Sequence, residues 1–197
     1  FLNVCQTLES VNINAPEALG AYGQYASTFT RRDSQTVYYY GYSGLHFGRF
    51  YNDTNRNYTT AYQCPKLETI ILGDNVITVG NNAFDAYEDF NALTSLTLGS
   101  GITSIGSNAF RGMTNLVSLT IPDSVEYIGR GAFQSATSLT SLTLGSGLLS
   151  IGSNAFSGAT SLTNVVLPDS ITTISNSAFS EATSLSSINL PNSITSI

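Results

Sequence analysis

Apolar and polar positions recur with a fixed period from residue 67 to the end of this chain. An Ala-Phe pair marks each repeat, and the last four intervals between pairs are 23 residues long, whereas the first is 26. The repeated phenylalanines are Phe84, Phe110, Phe133, Phe156 and Phe179. A single repeat of this length cannot bury its apolar face alone, so the period predicts a solenoid in which successive coils stack on one another.

The first part of each coil has the pattern of a short strand. Each coil opens with LxxLxL or a close variant, such as Leu93, Leu96 and Leu98. In the final L-x-L, apolar residues alternate with residues that we expect to point outward. Those outward residues are Thr97, Thr120, Thr143, Val166 and Asn189. One such strand per coil, stacked in parallel, predicts a sheet along one side of the solenoid.

The second part of each coil predicts a turn and another strand. A turn rich in Gly or Pro, such as Gly99-Ser100-Gly101, follows the first strand. A second apolar pair, such as Ile102 and Ile105, then predicts a short strand on another side of the coil. Glycines that we expect to let the backbone bend follow this pair at Gly106, Gly129 and Gly152. The Phe side chains are expected to fill the interior as an aromatic ladder.

The repeats divide the chain into two parts. Residues 66–197 are predicted to form a mainly β solenoid of five coils and a partial sixth, with short parallel strands on two sides of each coil. We number the coils from 1 to 6 in the order 67–92, 93–115, 116–138, 139–161, 162–184 and 185–197. Residues 1–65 do not repeat and are interpreted as a small β-rich, Tyr-rich N-terminal cap or assembly domain, because the first coil of a solenoid needs its end covered.

Tyrosine is concentrated in this N-terminal segment. Aromatic and β-branched residues between Gln35 and Phe50 predict short strands rather than helices. Successive side chains of a strand take opposite faces, so three tyrosines in a row cannot all point inward. Tyr and Arg are enriched where proteins bind partners, and the segment is therefore either a structural cap or a recognition surface. The candidate contacts are Tyr38, Tyr39, Tyr40 and Tyr42.

Both cysteines of the chain bracket the non-repeating segment. A disulfide between Cys5 and Cys64 would close a loop of about 60 residues and contribute roughly 4 kcal/mol by the chain-entropy account. The alternative is two buried free thiols. N-glycosylation sequons begin at Asn52 and Asn57, and they become meaningful only if the chain passes through a glycosylating secretory pathway. Together these features favour a disulfide-bonded protein that is secreted or located at the cell surface.

The composition excludes several classes of function. A net charge of −6 argues against binding to nucleic acid, and no apolar run reaches the length of a membrane-spanning helix. His46 is the only histidine, and no carboxylate shares a recognisable catalytic spacing with it. Asp85, Glu88 and Asp89 form the densest acidic group, which we interpret as a solvated loop rather than a calcium site. The sequence therefore predicts no catalytic residues, no metal site and no cofactor.

The repeat resembles the BspA-like leucine-rich repeats of surface proteins from bacteria and protists. The resemblance rests on LxxLxLPxSVxxIGxxAF, which this chain matches from Leu116 to Phe133 as LVSLTIPDSVEYIGRGAF. It covers about two thirds of the chain, and residues 1–65 resemble no family. Where family members commonly carry Cys after the Phe, this chain has Met113, Ala136, Ala159 and Ala182. The resemblance implies a curved solenoid, a secreted or cell-surface location, and a role in adhesion or protein binding without catalysis.

Two functional hypotheses follow. The sixth coil stops at Ile197, before the Ala-Phe pair of its predecessors, so either the natural protein continues or Ile194 and Ile197 lie on an open face that another molecule covers. The first hypothesis is an extracellular structural subunit that associates head to tail with copies of itself, through this face and the Tyr-rich segment. The alternative is an adhesin or receptor-like ectodomain whose outward Thr and Asn rows contact a host or cell-surface ligand. We expect an enzyme least of the three.

Overall fold

Two short strands in each coil build the solenoid. The computed structural model describes residues 68–85 and 92–196 and, before them, the backbone of three strands, β1 (Leu8–Ile13), β2 (Gln24–Arg31) and β3 (Thr36–Tyr42). The first strands of the coils are β4 (Thr69–Leu72), β6 (Ser95–Leu98), β8 (Ser118–Thr120), β10 (Ser141–Thr143), β12 (Asn164–Val165) and β14 (Ser187–Ile188). The second strands are β5 (Thr78–Val79), β7 (Ser104–Ile105), β9 (Tyr127–Ile128), β11 (Ser150–Ile151) and β13 (Thr173–Ile174).

The strands stack in parallel on two sides, as the repeat predicts. The second strands form one continuous sheet in the order β13-β11-β9-β7-β5. The first strands, which we call the first sheet, are hydrogen-bonded only in pairs, β4 with β6, β8 with β10, and β12 with β14. Equivalent residues lie side by side, as in the pairing of Ser141 with Ser118 and of Thr143 with Thr120. The fold class expected from the sequence is therefore correct for the repeats.

Three N-terminal strands continue the first sheet beyond coil 1. β2 pairs antiparallel with both β1 and β3, and β1 pairs in parallel with β4, placing Ser10 opposite Thr69 and Ile13 opposite Leu72. The order in this part of the sheet is β3-β2-β1-β4-β6. A strand from the non-repeating segment therefore occupies the edge of β4 that faces away from the other coils.

Apolar side chains from every coil fill one continuous core. Most Leu, Ile and Val positions of both strands in coils 1 to 5, the Ala-Phe pairs except Phe179, and Met113 are buried. Phe179, Ile188 and Ile194 are half-buried and pack against this core. The rings of Phe84, Phe110, Phe133, Phe156 and Phe179 stack in that order, with centroids 5.3 to 5.4 Å apart and interplanar angles of 3° to 13°. Each ring thus packs its faces against the rings of the coils on either side, which only a constant coil spacing allows.

The glycines after the second strand have a different role from the expected one. Gly106, Gly129 and Gly152 do not have positive φ, and a Cβ on each would lie 2.6 to 2.7 Å from backbone atoms of the preceding coil. They are needed for close stacking of coils rather than for bending. The left-handed bend lies two residues later, at Asn82, Asn108, Gly131, Asn154 and Ser177, with φ of 53° to 61°. Asn tolerates this conformation better than most residues.

Several sequence predictions fall on residues outside the described part of the chain. They include Cys5 and Cys64, the sequon residues Asn52 and Asn57, and Ile197. The disulfide, the glycosylation and the contact at Ile197 therefore stay predictions.

Candidate interaction surface

The outer side of the first sheet presents regular rows of exposed residues. In LxxLxL the second, third and fifth positions point away from the core, so each coil contributes three residues to this surface. From coil 2 to coil 6 all of them are exposed. We call this set the first-sheet face: Thr94, Ser95, Thr97, Val117, Ser118, Thr120, Thr140, Ser141, Thr143, Thr163, Asn164, Val166, Ser186, Ser187 and Asn189.

This face is uncharged and carries two exposed valines. Most of its residues are Ser or Thr, whose side chains are short, and none is ionisable. Val117 is 50% exposed and Val166 is 62% exposed, whereas the nearby strand residues Leu119 and Val165 are buried. The face therefore offers methyl groups and hydroxyls without a charge whose desolvation would oppose a protein contact.

Hydroxyl groups on the coils also hold neighbouring coils together. Thr140 Oγ1 donates to the Val117 carbonyl at 3.2 Å, and Ser186 Oγ donates to the Thr163 carbonyl at 3.0 Å. These bonds fix side-chain positions on the first-sheet face. A surface whose short side chains are already ordered loses little conformational entropy when a partner binds.

The outer side of the second sheet has a different chemistry. Ile77 and Tyr127 are exposed there, and Glu126 and Arg130 add charges of both signs in coil 3. This surface lacks the uniform rows of the first-sheet face. A residue on this surface therefore provides a control for contacts made by the first-sheet face.

Two turns between the sheets contain an aspartate that binds the next coil. Asp123 Oδ1 accepts hydrogen bonds from the Ser146 backbone N–H at 2.6 Å and the Ser146 hydroxyl at 3.0 Å. Asp74 makes the same contacts with Ser100, at 2.7 and 2.9 Å. The backbone bond first, and the hydroxyl bond second, lower the pKa of each carboxyl below its ordinary value of 3.8 because both stabilise the charged form.

The Gly-Ser-Gly turns are explained by the same contacts. A Cβ on Gly145 or Gly147 would collide with the backbone of Pro122 and Asp123, and Gly99 and Gly101 meet the preceding turn in the same way. These glycines let Ser146 and Ser100 reach an aspartate on the coil below. The repeated Gly-x-Gly is thus a docking element between coils, at the place where the sequence predicts a turn.

The acidic group near coil 1 is partly accounted for by an ion pair. Asp85 accepts two hydrogen bonds from the Arg111 guanidinium, at 2.9 Å from Nε and 2.8 Å from Nη2. Glu88 and Asp89 lie outside the described residues. Within the described ranges there is no group of three side chains that could hold a metal ion.

The predicted partner contacts lie at opposite ends of the solenoid. Tyr38, Tyr39, Tyr40 and Tyr42 belong to β3, where they pair with residues 24 to 28 of β2. Ile194 belongs to coil 6, where it is half-buried and packs against the core. The structure therefore does not bring these two sets together within one chain.

Sequence reasoning identified one exposed residue per coil on the first-sheet face and missed the second and third positions of LxxLxL, among them Val117. Val117 occupies the second position of LxxLxL, where coils 2, 4, 5 and 6 have Thr or Ser. An aliphatic residue at an outward position of a repeat was the signal that could have identified it.

The described residues also contain no helix with the length and hydrophobicity that crossing a membrane requires.

Comparisons with known proteins agree with this architecture. The sequence matches the BspA type leucine rich repeat region in six copies, over residues 54–148 and 85–197. A leucine-rich repeat protein from Bacteroides ovatus has 31% identity and a TM-score of 0.60 over 68% of this chain and 34% of its own. The T. pallidum leucine rich repeat protein has 28% identity and a TM-score of 0.61, over 68% of this chain and 62% of its own.

More distant similarity extends to a pneumococcal protein. The pneumococcal vaccine antigen PcpA has 17% identity and a TM-score of 0.57 over 95% of this chain and 51% of its own, which indicates a shared fold. No curated protein sequence matches the chain. The chain spans about a third of the length of the Bacteroides ovatus protein and less than two thirds of the T. pallidum protein.

Proposed function

Because this chain belongs to the BspA-type leucine-rich repeat family, we propose that it is a non-enzymatic scaffold that binds another protein outside the cell or at its surface. Proteins with these repeats are typically found at the cell surface and are generally non-enzymatic. The observation that carries the proposal is the first-sheet face, fifteen exposed and uncharged residues in register.

Val117 and Val166 are the proposed anchors of the contact. They are 50% and 62% exposed on an otherwise polar face, so a partner gains most by covering their methyl groups. Charged residues are depleted at the centres of protein interfaces, which the first-sheet face matches. The proposed partner is a protein that presents apolar side chains to the two valines and hydrogen-bonding groups to the Ser and Thr rows.

A photo-crosslinker placed on either side of the solenoid tests this proposal. Thr143 on the first-sheet face and Thr172 on the second sheet are both exposed threonines, so each can carry p-benzoylphenylalanine in the full chain. On intact cells we expect a discrete protein adduct from position 143 and not from 172. Adding Val117→Lys and Val166→Lys should abolish the adduct. Equal labelling from both positions, or labelling that ignores the valines, would overturn the proposal.

Self-association is a second candidate, supported by coil 6. Leu190 is 57% exposed, whereas its equivalents in coils 3 and 5, Ile121 and Leu167, are 1% and 2% exposed. At the other end of the sheet, β3 has no strand on its outer side among the described residues. Contact between these two ends would be heterologous and would form rings or filaments.

Sedimentation of the full chain over a range of concentrations tests self-association. We expect concentration-dependent oligomers that Leu190→Lys disperses and that Val166→Lys leaves intact. A species that stays monomeric at all concentrations would rule out this candidate without affecting the binding proposal.

The extracellular features and the division at residue 65 belong to the same proposal. Cys5 and Cys64 are proposed to form a disulfide, and Asn52 and Asn57 to carry glycans, in the non-repeating segment of residues 1–65. Intact mass of the native protein, measured before and after reduction and enzymatic deglycosylation, tests all four residues. Free thiols and unmodified asparagines would contradict passage through an oxidising secretory pathway.

A further inference from the structure

Hydrogen bonding between coils on the first sheet alternates. The Thr94 amide donates to the Glu68 carbonyl at 3.0 Å, and the Thr140 amide donates to the Val117 carbonyl at 2.9 Å. The equivalent amides of Val117 and Thr163 make no such bond to the coil before them. Coils 1 and 2, 3 and 4, and 5 and 6 are therefore joined on this side, while coils 2 and 3, and coils 4 and 5, are not.

The turns that follow these strands alternate in the same order. The joined coils 1 and 2 are locked by Asp74 and Ser100, and coils 3 and 4 by Asp123 and Ser146. Gly-Ser-Gly in coils 2 and 4 allows this close approach, since any Cβ there would collide with the coil below. These two close junctions thus share a carboxylate below and a Gly-Ser-Gly turn above.

Proline begins the turn at both open junctions. Pro122 and Pro168 follow the first strands of coils 3 and 5, where coils 2 and 4 have Gly. Proline has no N–H to donate to the preceding coil, and its ring prevents the close approach that Gly permits. The turn is held from below by Ser124 Oγ, which donates to the Ile102 carbonyl at 2.7 Å, and by Ser170 Oγ, which donates to the Leu148 carbonyl at 2.7 Å.

Coils 5 and 6 are joined by a different device. Pro191 begins the turn of coil 6, but the Asn189 side chain bridges the gap. Its Oδ1 accepts from the Leu167 N–H at 2.6 Å and its Nδ2 donates to the Leu167 carbonyl at 3.1 Å. The side-chain amide of Asn189 therefore adds to the backbone pairing of β12 with β14, next to a turn whose proline has no N–H.

Elsewhere around each coil every junction is bonded. At the open junction between coils 2 and 3, the Gly129 amide donates to the Ile105 carbonyl, and the Phe110 amide donates to the Ala132 carbonyl, both at 2.8 Å. The second sheet and the Phe ladder also continue across it. At an open junction the two coils are thus hydrogen-bonded along the second sheet and at the Phe residues. Their first strands are not hydrogen-bonded to each other.

We propose that the mechanical unit of this solenoid is a pair of coils, and that the two open junctions are hinges at which the first-sheet face opens and closes. The second sheet is continuous across both junctions, so it holds the coils together while the first-sheet side opens. Val117 and Val166 belong to the coils that begin the second and third pairs, so hinge motion changes the spacing around both. This inference concerns the fold and holds whether or not that face binds a partner.

Two deletions in the full chain separate a paired from a uniform solenoid. Removing residues 116–161 takes out coils 3 and 4 and places coil 5 on coil 2, which recreates the native Gly-Ser-Gly to Pro-Asp-Ser junction. Removing only residues 139–161 takes out coil 4 and breaks the Asp123–Ser146 lock. It places Pro168 over Pro122 and Asp169 over Asp123. We expect the one-coil deletion to unfold at a lower urea concentration than the two-coil deletion.

The opposite order would overturn the proposal. If all coils were equivalent, stability would be a sum over coils and their interfaces, and the larger deletion would lose more. Amide exchange of the unaltered chain, followed by NMR, provides an independent measurement. We expect slow exchange at Thr94, Thr140 and Ser186 and at least tenfold faster exchange at Val117 and Thr163. Uniform protection of all five amides would also overturn the proposal.

Discussion

Single side chains in this solenoid act mainly on the neighbouring coil. The carboxylates of Asp74 and Asp123 are fully exposed to solvent, yet each accepts two hydrogen bonds from a serine of the next coil. Hydrogen bonds to the charged form lower the pKa of both carboxyls. These two residues therefore make the stability of the stack depend on pH.

Replacing Asp123 tests this dependence. The unfolded chain has the ordinary pKa, so the stabilisation is complete above it and is lost as the pH falls through the lower folded pKa. We expect Asp123→Asn to lower the urea midpoint relative to the unaltered protein at about pH 6, with the difference shrinking towards about pH 2. Asp169→Asn is the control, since Asp169 has the same place in coil 5 and the next coil has Pro191-Asn192-Ser193 instead of Gly-Ser-Gly. An equal deficit for Asp123→Asn at both pH values would contradict the prediction.

Backbone conformation at Glu181 supplies a second test at this scale. Its φ is 59°, and the equivalent residues in coils 2 and 4 are Gly112 and Gly158, with φ of 83° and 76°. A left-handed conformation strains any residue with a Cβ, so Glu181→Gly should be about 1 kcal/mol more stable than Glu181→Ala. Both changes remove the same charge, and thermal unfolding compares them directly. An alanine variant as stable as the glycine variant would show that this position is not strained.

Much of the residue pattern could be predicted from the sequence, because it depends on one period. The spacing of Ala-Phe pairs sets the coil length, and a constant length brings Phe110 over Phe84 and Phe133 over Phe110. The left-handed position before each pair was also visible, as Asn, Gly or Ser two residues after the glycine. Its meaning was missed because glycine is the residue most associated with a bend. Glycine stands at the earlier place in coils 1 to 4 but at the left-handed place only in coil 3.

At the scale of strands and turns, the contacts between coils determine what each element needs. The first sheet is interrupted although LxxLxL repeats in every coil, because pairing also depends on the contacts around the following turn. Gly-Ser-Gly accompanies pairing in coils 2 and 4, and the Asn189 side chain accompanies it in coil 6 despite Pro191. The sequence shows this difference as Gly-Ser-Gly turns in coils 2 and 4 and Pro-Asp-Ser turns in coils 3 and 5. Whether two neighbouring first strands pair depends on the distance between successive coils, and the pattern within one coil does not give that distance. The N-terminal strands β1 and β2 precede the repeats, so the repeat pattern could not predict them.

Close stacking of turns predicts different outcomes for two equivalent glycines. A Cβ on Gly129 would lie 2.6 Å from the Gly106 carbonyl carbon and the Ser107 nitrogen, both backbone atoms that cannot move aside. Gly80 has the same place in coil 1, with no described atom within 4 Å. Gly129→Ala should lower the free energy of unfolding by about 1 to 3 kcal/mol, and Gly80→Ala by less than about 0.5 kcal/mol. Urea unfolding measures both, and similar losses would show that coil contact does not explain these glycines.

The molecule as a whole is a stack whose ends differ from its middle. Every inner strand of the second sheet has a neighbour on both sides, while coil 1 depends on β1 to cover the outer edge of β4. An uncovered edge presents unpaired N–H and C=O groups that can pair with another chain. The non-repeating segment therefore affects association as well as stability.

Removing residues 1–65 tests this role of the N-terminal strands. In a chain of residues 66–197 the edge of β4 from Thr69 to Leu72 loses its parallel partner, so this shorter chain should self-associate more strongly than the full chain. Light scattering after size-exclusion chromatography, over a range of concentrations, compares the two. Ile71→Lys places a charge on that edge strand and should return the shorter chain to a monomer. If the shorter chain associates no more than the full chain, β1 is not what protects the first coil.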